Sequence, residues 1–208
     1  MNSVDFDLYL VTDRAQTRGR DLLWVIEQAL DAGVKAVQLR EKDLSGRDLF
    51  SLAEQSHQLC QAYHAALFIN DRVDVALAVD AAGVQLAKTS VPVTVARSLL
   101  GPGKIIGAST HSLDEATEAE QNGADFVLFG PIYFTASKAA YGPPQGLAAL
   151  KKIVDNISLP VYAIGGIKAE TLPSLKAMGV RGVALISAII SAENPKNAAA
   201  EILRQLRC

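Results

Sequence analysis

Eight short apolar runs constrain this chain more than any other feature, because each one ends at, or is directly followed by, a polar residue or a glycine. Segments with helical spacing separate them. Parallel strands that alternate with helices are buried on both faces, and so they read as continuous apolar stretches. The pattern predicts an α/β fold, a single-domain (β/α)8 TIM barrel over residues 1–208, with its active site at the rim formed by the carboxyl ends of the strands. The runs are Leu8–Thr12, Ala36–Arg40, Leu67–Asn70, Gly83–Ala87, Ile105–Ser109, Phe126–Gly130, Val161–Gly165 and Gly182–Ser187.

A doubly wound open sheet is the alternative fold for such a pattern. That fold normally carries a glycine-rich phosphate-binding turn after its first strand. Thr12, Asp13 and Arg14 occupy this position here, which favours the barrel.

A glycine recurs between a helical segment and the following strand, at Gly33, Gly83, Gly123 and Gly179. A left-handed residue commonly ends a helix, and glycine adopts that conformation without strain. The repetition predicts four similar helix-to-strand turns.

Two helix starts are also readable. Ser112 is followed by Glu115 at capping-box spacing, which predicts a helix there. Asn194 precedes Pro195, the preferred order for a helix cap and a first helical residue, and predicts a final helix that runs through Arg207.

Composition excludes several classes of protein. Half of the residues are hydrophobic and the net charge is −2, so neither nucleic acid nor a membrane surface is expected as a partner. No apolar run reaches the length of a membrane span, and the acidic N-terminal residues do not resemble a secretory signal. The two cysteines have no metal-binding spacing, which favours a reduced, cytoplasmic protein.

The second run ends in a cationic segment. Gln38, Arg40 and Lys42 share one face of a strand and suit an anion with several oxygens, such as a diphosphate. A rim of ion pairs with Glu41 or Asp43 explains the same spacing equally well.

The third and fifth runs also end in polar residues. Asp71, after Asn70, is either a hard-oxygen ligand for Mg²⁺ beside a diphosphate or the cap of the following helix. Ser109 is the expected inward-facing donor of the fifth run, since Ser112 reads as a helix cap. His111 is interpreted as a hydrogen-bonding residue of the rim rather than a proton-transfer group.

The last three runs lead into segments suited to phosphate. Thr135, Ser137 and Lys138 follow the sixth run and offer two hydroxyls and an ammonium, although an exposed polar loop has the same composition. The glycines at 165 and 166 follow the seventh run and, with Ser187 after the eighth, favour a backbone-and-hydroxyl phosphate site over a simple tight turn. The rim is therefore predicted to hold two anion sites.

Six segments, in order along nearly the whole chain, resemble the thiamine phosphate synthase family, whose superfamily also contains the TenI thiazole tautomerases. They are Leu8–Asp13, Val37–Lys42, Ile69–Asp71, Ser109–Ser112, Gly130–Tyr133 with Thr135–Lys138, and Ala163–Ile167. The resemblance implies a TIM barrel, a Mg²⁺ requirement and two small phosphorylated substrates, a hydroxymethylpyrimidine diphosphate and a thiazole phosphate. Diphosphate leaves the first, and the thiazole nitrogen captures the resulting cation.

The resemblance also implies a role for particular residues. Arg40, Lys42, Asn70 and Lys138 would hold the leaving diphosphate, and Gln38 and Ser109 would hold the pyrimidine and diphosphate region. The catalytic set would be Arg40, Lys42, Ser109 and Lys138. Asp71 would bind Mg²⁺. The thiazole phosphate would be bound by Thr135, Ser137, Gly166, Ile186 and Ser187.

One segment departs from the synthase pattern. After the fourth strand the family typically reads H-L-G-Q-x-D, and its aspartate is the second metal ligand, whereas this chain reads Gln85–Ser90. A serine there resembles the TenI branch, but Pro131 stands where TenI tautomerases resemble one another in having a histidine. Lys88 is a candidate to replace part of the metal's charge.

Three functions follow in order of preference. The first is a thiamine phosphate synthase, the second a TenI-like thiazole tautomerase, and the third a non-catalytic paralogue that binds thiazole or thiamine phosphates. The sequence leaves the oligomeric state open, and a homo-oligomer is compatible with it.

Overall fold

A computed structural model describes residues 4–135 and 143–207 of the chain. Eight parallel strands, each paired with its neighbours in chain order, close into a barrel when β8 pairs with β1. The predicted TIM barrel is confirmed, and each strand lies within two residues of its predicted bounds. The strands are β1 (Leu8–Val11), β2 (Ala36–Leu39), β3 (Ala66–Asn70), β4 (Gly83–Leu86), β5 (Ile105–Thr110), β6 (Phe126–Phe129), β7 (Val161–Ile164) and β8 (Gly182–Leu185).

Helices surround the barrel and pack on its outer face through the larger of the two hydrophobic clusters. Short 3₁₀ helices at Arg14–Gln16 and Ala169–Thr171 supplement them. Every helix within the described residues is too short or too polar to span a bilayer. The helices are α1 (Leu22–Asp31), α2 (Gly46–Ala62), α3 (Val73–Ala78), α4 (Val93–Leu100), α5 (Leu113–Gln121), α6 (Gly146–Asn156), α7 (Leu172–Ala177), α8 (Ser187–Ile190) and α9 (Pro195–Arg207).

Both predicted helix starts are confirmed. The Ser112 hydroxyl accepts a hydrogen bond from the Glu115 N–H at 3.2 Å, directly before α5. The Asn194 side chain accepts one from the Asn197 N–H at 2.9 Å, directly before α9.

Three of the four predicted glycine turns are confirmed, because Gly33, Gly123 and Gly179 have φ angles of 103°, 89° and 85°. The prediction for Gly83 is wrong. Gly83 lies inside β4, where a Cβ atom would collide with the Ile105 carbonyl of β5. Asp80 adopts the left-handed conformation instead, with φ 54°. Close approach of two strands, rather than a turn, explains this glycine.

Aromatic rings fill the lower part of the barrel. Phe6, Tyr9, Phe68, Phe126 and Tyr162 form one buried cluster, in which the rings of Phe6 and Tyr162 stack with centroids 4.7 Å apart. Phe6 precedes β1, so this packing closes the amino end of the barrel. Among the described residues, this packing leaves the opposite rim, where the polar side chains lie, as the side from which a ligand can approach the barrel axis.

Candidate active site

Arg40 and Lys42 follow β2 at the carboxyl rim. The neighbouring acids do not pair with them: Arg14 instead donates to both carboxylate oxygens of Asp43, at 2.5 and 2.7 Å, and lies 3.6 Å from Glu41. Within residues 4–135 and 143–207, no hydrogen bond or ion pair engages the side chains of Arg40 and Lys42. The arrangement favours an anion site over the rim of ion pairs.

A buried carboxylate supports this end of β2. The Glu41 side chain is 2% exposed, accepts a hydrogen bond from the Thr12 hydroxyl at 2.6 Å, and accepts two from the Arg14 N–H at 3.0 and 3.2 Å. The Thr12 hydroxyl oxygen in turn accepts from the Arg40 N–H at 2.9 Å. Glu41 was predicted only as an ion-pair partner for its neighbours. The polar Thr12 at the end of the first run was the one sequence feature that could have indicated this contact.

Gln38 points into the barrel below Arg40. It is 2% exposed, and its amide donates to the Tyr9 hydroxyl at 3.3 Å. This contact anchors the side chain to the aromatic cluster and places it at the floor of the rim.

Asp71 and Asn70 end β3 at the rim. The Asn70 amide donates to one Asp71 carboxylate oxygen at 2.7 Å, and the Ala87 N–H and the Ser90 hydroxyl donate to the other. The helix-cap alternative for Asp71 is wrong, because α3 has Arg72 at its cap position and no side-chain cap bond. Asp71 has φ 61°, a left-handed conformation uncommon for an aspartate.

Ser90, where the family resemblance leads one to expect a carboxylate, lies beside Asp71. Its oxygen accepts from the Ala87 N–H at 2.7 Å while its hydroxyl donates to Asp71, so the two side chains are in contact. Within the described parts of the chain, no group of three or more His, Cys, Asp or Glu side chains could hold a metal by itself. Mg²⁺ commonly uses one or two carboxylates, substrate phosphates and waters. Asp71 beside the Ser90 hydroxyl therefore fits Mg²⁺ in its one-carboxylate form.

Lys88 does not face this site. Its ammonium donates to Glu115 at 2.8 Å, so its positive charge is paired there rather than placed beside Asp71. Burial alone would raise the pKa of Glu115, but Lys88 and the His111 N–H, which donates at 2.7 Å, outweigh it and hold that pKa below its ordinary value. The exposed His111 thus contributes a backbone hydrogen bond at the rim.

Ser109 lies on β5 and accepts a hydrogen bond from the Gln85 amide at 3.1 Å. Gln85 is 1% exposed, and its amide oxygen has no hydrogen-bond partner among the described residues. That oxygen lies over Gly107, where a Cβ atom would collide with it. Gln85 has no role among the predicted site residues, and its place inside the apolar run Gly83–Ala87 did not indicate one.

The loops after β6 and β7 are bound together. The Ile132 and Tyr133 N–H groups donate to the Ile164 and Gly165 carbonyls at 2.9 and 3.0 Å. Gly166 has φ 66°, and a Cβ atom on it would lie 2.5 Å from the Phe134 carbonyl oxygen. Only glycine fits here, and Thr135 follows this contact directly. The predicted ligands Ser137 and Lys138 lie outside the described residues.

Ile186 and Ser187 follow β8 on the same rim. Ile186 is half-buried and packs against the aromatic cluster inside the barrel, whereas Ser187 is exposed as the first residue of α8. The fold therefore brings the predicted residues within 4–135 and 143–207 to one rim, with the cationic group on β2–β3 and the glycine and hydroxyl group on β6–β8.

Known proteins resemble the chain over nearly its full length. A family model described as thiamine monophosphate synthase matches residues 8–189. A Geobacter sulfurreducens protein whose name gives thiamine-phosphate synthase as a provisional assignment is 52% identical, over 99% of this chain and 97% of its own. The thiamine-phosphate synthase of Clostridium novyi is 42% identical, over 94% of this chain and 96% of its own.

Solved structures show the same similarity. A thiamine phosphate pyrophosphorylase from Pyrococcus furiosus superposes with a TM-score of 0.89 at 38% identity, covering 98% of this chain and 96% of that one. A 3-hexulose-6-phosphate synthase superposes with a TM-score of 0.69 at 18% identity, over 96% of this chain and 99% of its own, and shares the fold alone.

Proposed function

The chain belongs to the thiamine monophosphate synthase family, and from this membership we propose that it is a thiamine phosphate synthase, a transferase that joins a hydroxymethylpyrimidine diphosphate to a thiazole phosphate. The bond between the pyrimidine methylene carbon and the diphosphate oxygen breaks, and its electron pair leaves with the diphosphate. The thiazole nitrogen then donates its lone pair to the methylene carbon. The products are thiamine phosphate and diphosphate.

Two cations at the end of β2, which have no acidic partner within residues 4–135 and 143–207, are the structural observation that carries this proposal. Arg40 and Lys42 face the rim without an acidic partner among the described residues, since Arg14 holds both nearby carboxylates. Fixed positive charge at a site where a leaving group gains negative charge stabilises the transition state more than the ground state. Asn70 adds an amide at the same rim, and Lys138 is proposed to add a third cation.

Asp71 and the Ser90 hydroxyl would hold Mg²⁺ at the edge of the diphosphate site. The ion, when bound, would neutralise charge on the departing diphosphate. Asn70 keeps the Asp71 carboxylate oriented by its 2.7 Å hydrogen bond.

The pyrimidine end is assigned to Gln38 and Ser109. Both residues belong to the inner face of the barrel, above the aromatic cluster, and each is fixed by a neighbour: Gln38 by Tyr9 and Ser109 by Gln85. Two anchored polar side chains at the floor of an apolar well suit a flat heteroaromatic ring with polar edges.

The thiazole phosphate is assigned to the opposite side of the rim. Gly166 allows close backbone approach, and Thr135, Ser137 and Ser187 supply hydroxyls, with Ile186 presenting an apolar side chain to the ring. Because the diphosphate and the thiazole phosphate would bind on opposite sides of the rim, the reacting methylene carbon and thiazole nitrogen would lie between the two anion sites. Bond formation needs the two atoms oriented in this way.

A two-substrate assay tests the proposal. Purified protein with both substrates and Mg²⁺ is expected to release diphosphate and thiamine phosphate in equal amounts, and neither product when one substrate is omitted. Aromatisation of a thiazole tautomer without diphosphate release would instead identify a tautomerase. Ligand binding without turnover would identify a binding protein. Fractionation of the producing cells would test the cytoplasmic location expected from the sequence.

A further inference from the structure

Arg20 joins the start of α1 to the segment that follows β8. Its Nε donates to the Thr17 carbonyl at 2.7 Å and its Nη2 to the Ile190 carbonyl at 2.9 Å. Its Nη1 donates to the carbonyls of Ala192 at 2.7 Å and Glu193 at 3.1 Å. One half-buried guanidinium therefore ties four backbone carbonyls from two distant parts of the chain.

Apart from Arg20, this segment is held by the buried side chains of Ile189 and Ile190 and by Arg18, whose Nη1 donates to the Ser191 carbonyl at 3.5 Å. Helix α8 spans only Ser187–Ile190, closed by backbone bonds such as the one from the Ile190 N–H to the Ile186 carbonyl at 2.9 Å. A single helical turn is marginal by itself, and its last carbonyls have no partners within the helix. Arg20 supplies donors for three carbonyls at this end.

The other end of the same turn carries Ile186 and Ser187. The Ile190 N–H donates to the Ile186 carbonyl at 2.9 Å and the Ser191 N–H to the Ser187 carbonyl at 3.0 Å, so the carbonyl that Arg20 binds lies one backbone hydrogen bond away from the residues of the proposed phosphate site. The anchor itself is firm, since Thr17 is 3% exposed and the Arg20 guanidinium carbon lies 5.7 Å from the centre of the Trp24 ring.

We propose that Arg20 is a positioning residue for the phosphate end of the thiazole substrate. The inference rests on the proposed function, because it takes Ile186 and Ser187 as part of that phosphate site. Arg20 acts through the backbone of α8, so its removal loosens Ser187 and weakens binding of the thiazole phosphate. The diphosphate side of the rim keeps its own support, because the contacts of Glu41 with Thr12 and Arg14 do not involve Arg20.

Arginine is required here rather than positive charge alone. A guanidinium presents its donors in a fixed plane and can reach four carbonyls at once, whereas an ammonium offers three donors from one point. The KM of Arg20→Lys for the thiazole phosphate is therefore expected to lie between those of wild type and Arg20→Ala.

Arg97 offers a matched control. Its guanidinium binds the carbonyls of Gly101, Lys104 and Gly123 at 3.0, 2.6 and 3.0 Å, and the Asp125 carboxylate at 2.6 Å. These contacts lie at the amino ends of β5 and β6, on the face of the barrel away from the proposed site. Arg97→Ala thus removes a comparable set of bonds far from α8.

Steady-state kinetics with each substrate varied in turn test the inference. Arg20→Ala is expected to raise the KM for the thiazole phosphate by about tenfold to a hundredfold, the range that small displacements of binding groups produce. The KM for the pyrimidine diphosphate should stay within about twofold of the wild-type value. A positioning role toward one substrate requires this difference between the two KM values. Arg97→Ala should lower the melting temperature and leave both KM values unchanged.

Equal changes in both KM values, an unchanged thiazole phosphate KM, or the same split in Arg97→Ala would overturn the inference while the synthase activity of the wild type stands. A wild type without turnover would overturn the proposed function instead. In that case calorimetric titration of the thiazole phosphate decides the inference, since equal affinities in wild type and Arg20→Ala would refute it and a weaker affinity in Arg20→Ala would support it.

Discussion

The Ser90 hydroxyl donates a hydrogen bond to the Asp71 carboxylate, across the gap between the loops after β3 and β4. The same carboxylate oxygen accepts the Ala87 N–H at 3.3 Å. A residue at position 90 is thus already in contact with the group expected to bind Mg²⁺, and its chemistry sets how strongly the ion is held.

Ser90→Asp is expected to tighten the dependence of turnover on Mg²⁺, with equal or greater turnover at saturation. Two carboxylates in contact repel without a cation and form a stronger hard-oxygen site with one. The melting temperature of the variant should therefore be lower than that of wild type in chelator and rise more steeply with Mg²⁺. Differential scanning fluorimetry and a Mg²⁺ titration of activity measure the two effects.

Ser90→Ala is the control for this substitution, because it removes the hydroxyl without adding charge. It should leave the rise of melting temperature with Mg²⁺ no steeper than in wild type. Identical Mg²⁺ profiles in wild type and Ser90→Asp would show that position 90 has no part in the metal site.

Lys42→Ala is expected to lower kcat/KM for the pyrimidine diphosphate by about tenfold to a hundredfold, since loss of one group that stabilises developing charge commonly has an effect near the upper figure. Lys88→Ala is the matched control, because Lys88 is exposed, lies on the same rim and is paired with Glu115. The prediction is tested by measuring kcat/KM, and its dependence on salt concentration, for both variants under the same conditions. A similar loss in the two would mean that only the overall charge of the rim matters.

Gly166→Ala is expected to weaken binding of the thiazole phosphate strongly. The new methyl group would lie 2.5 Å from the Phe134 carbonyl oxygen and 2.8 Å from the Tyr133 Cβ, so the loop before Thr135 must move. Gly123→Ala imposes the same kind of backbone strain, about 1 kcal/mol, at a place where no atom of the described residues lies within 4 Å of the new Cβ. Calorimetric titration of both variants with each phosphorylated substrate distinguishes a local effect on the site from general instability. A loss of affinity in Gly123→Ala as well would indicate general instability.

Glu41→Ala is expected to lower the free energy of unfolding by about 3 kcal/mol, because it leaves the buried Thr12 hydroxyl and the partly buried Arg14 N–H without their shared acceptor. The end of β2 would lose its support, and kcat should fall with it. Asp43→Ala removes the exposed partner of the same Arg14 and should change the melting temperature little. Chemical denaturation of wild type, Glu41→Ala and Asp43→Ala measures the change in the free energy of unfolding. Equal denaturation midpoints in all three would contradict the assigned role of Glu41.

The position of each strand could be read from the sequence, because a strand buried on both faces needs an uninterrupted apolar run whatever its neighbours are. The helix start at Asn194 is equally local, since a cap and a following proline act within one turn. The order of the strands on the rim followed from the fold class, so Arg40, Asp71 and Ser109 could be assigned to one site before any contact was known.

Partner choice was decided only by the tertiary structure. Arg14 reaches Asp43 across 29 residues of chain, Ser90 reaches Asp71 across 19, and Lys88 reaches Glu115 across 27. Sequence spacing made Glu41 and Asp43 equal candidates to neutralise Arg40. In the structure both pair with Arg14 instead, because the loop after β1 packs against the end of β2. Gly83 shows the same limit: its sequence matches the glycines that end helices, but the approach of β5 gives it a different reason to be glycine. Apolar periodicity is a property of the chain, whereas the pairing of polar groups depends on which rim loops the closed barrel brings into contact.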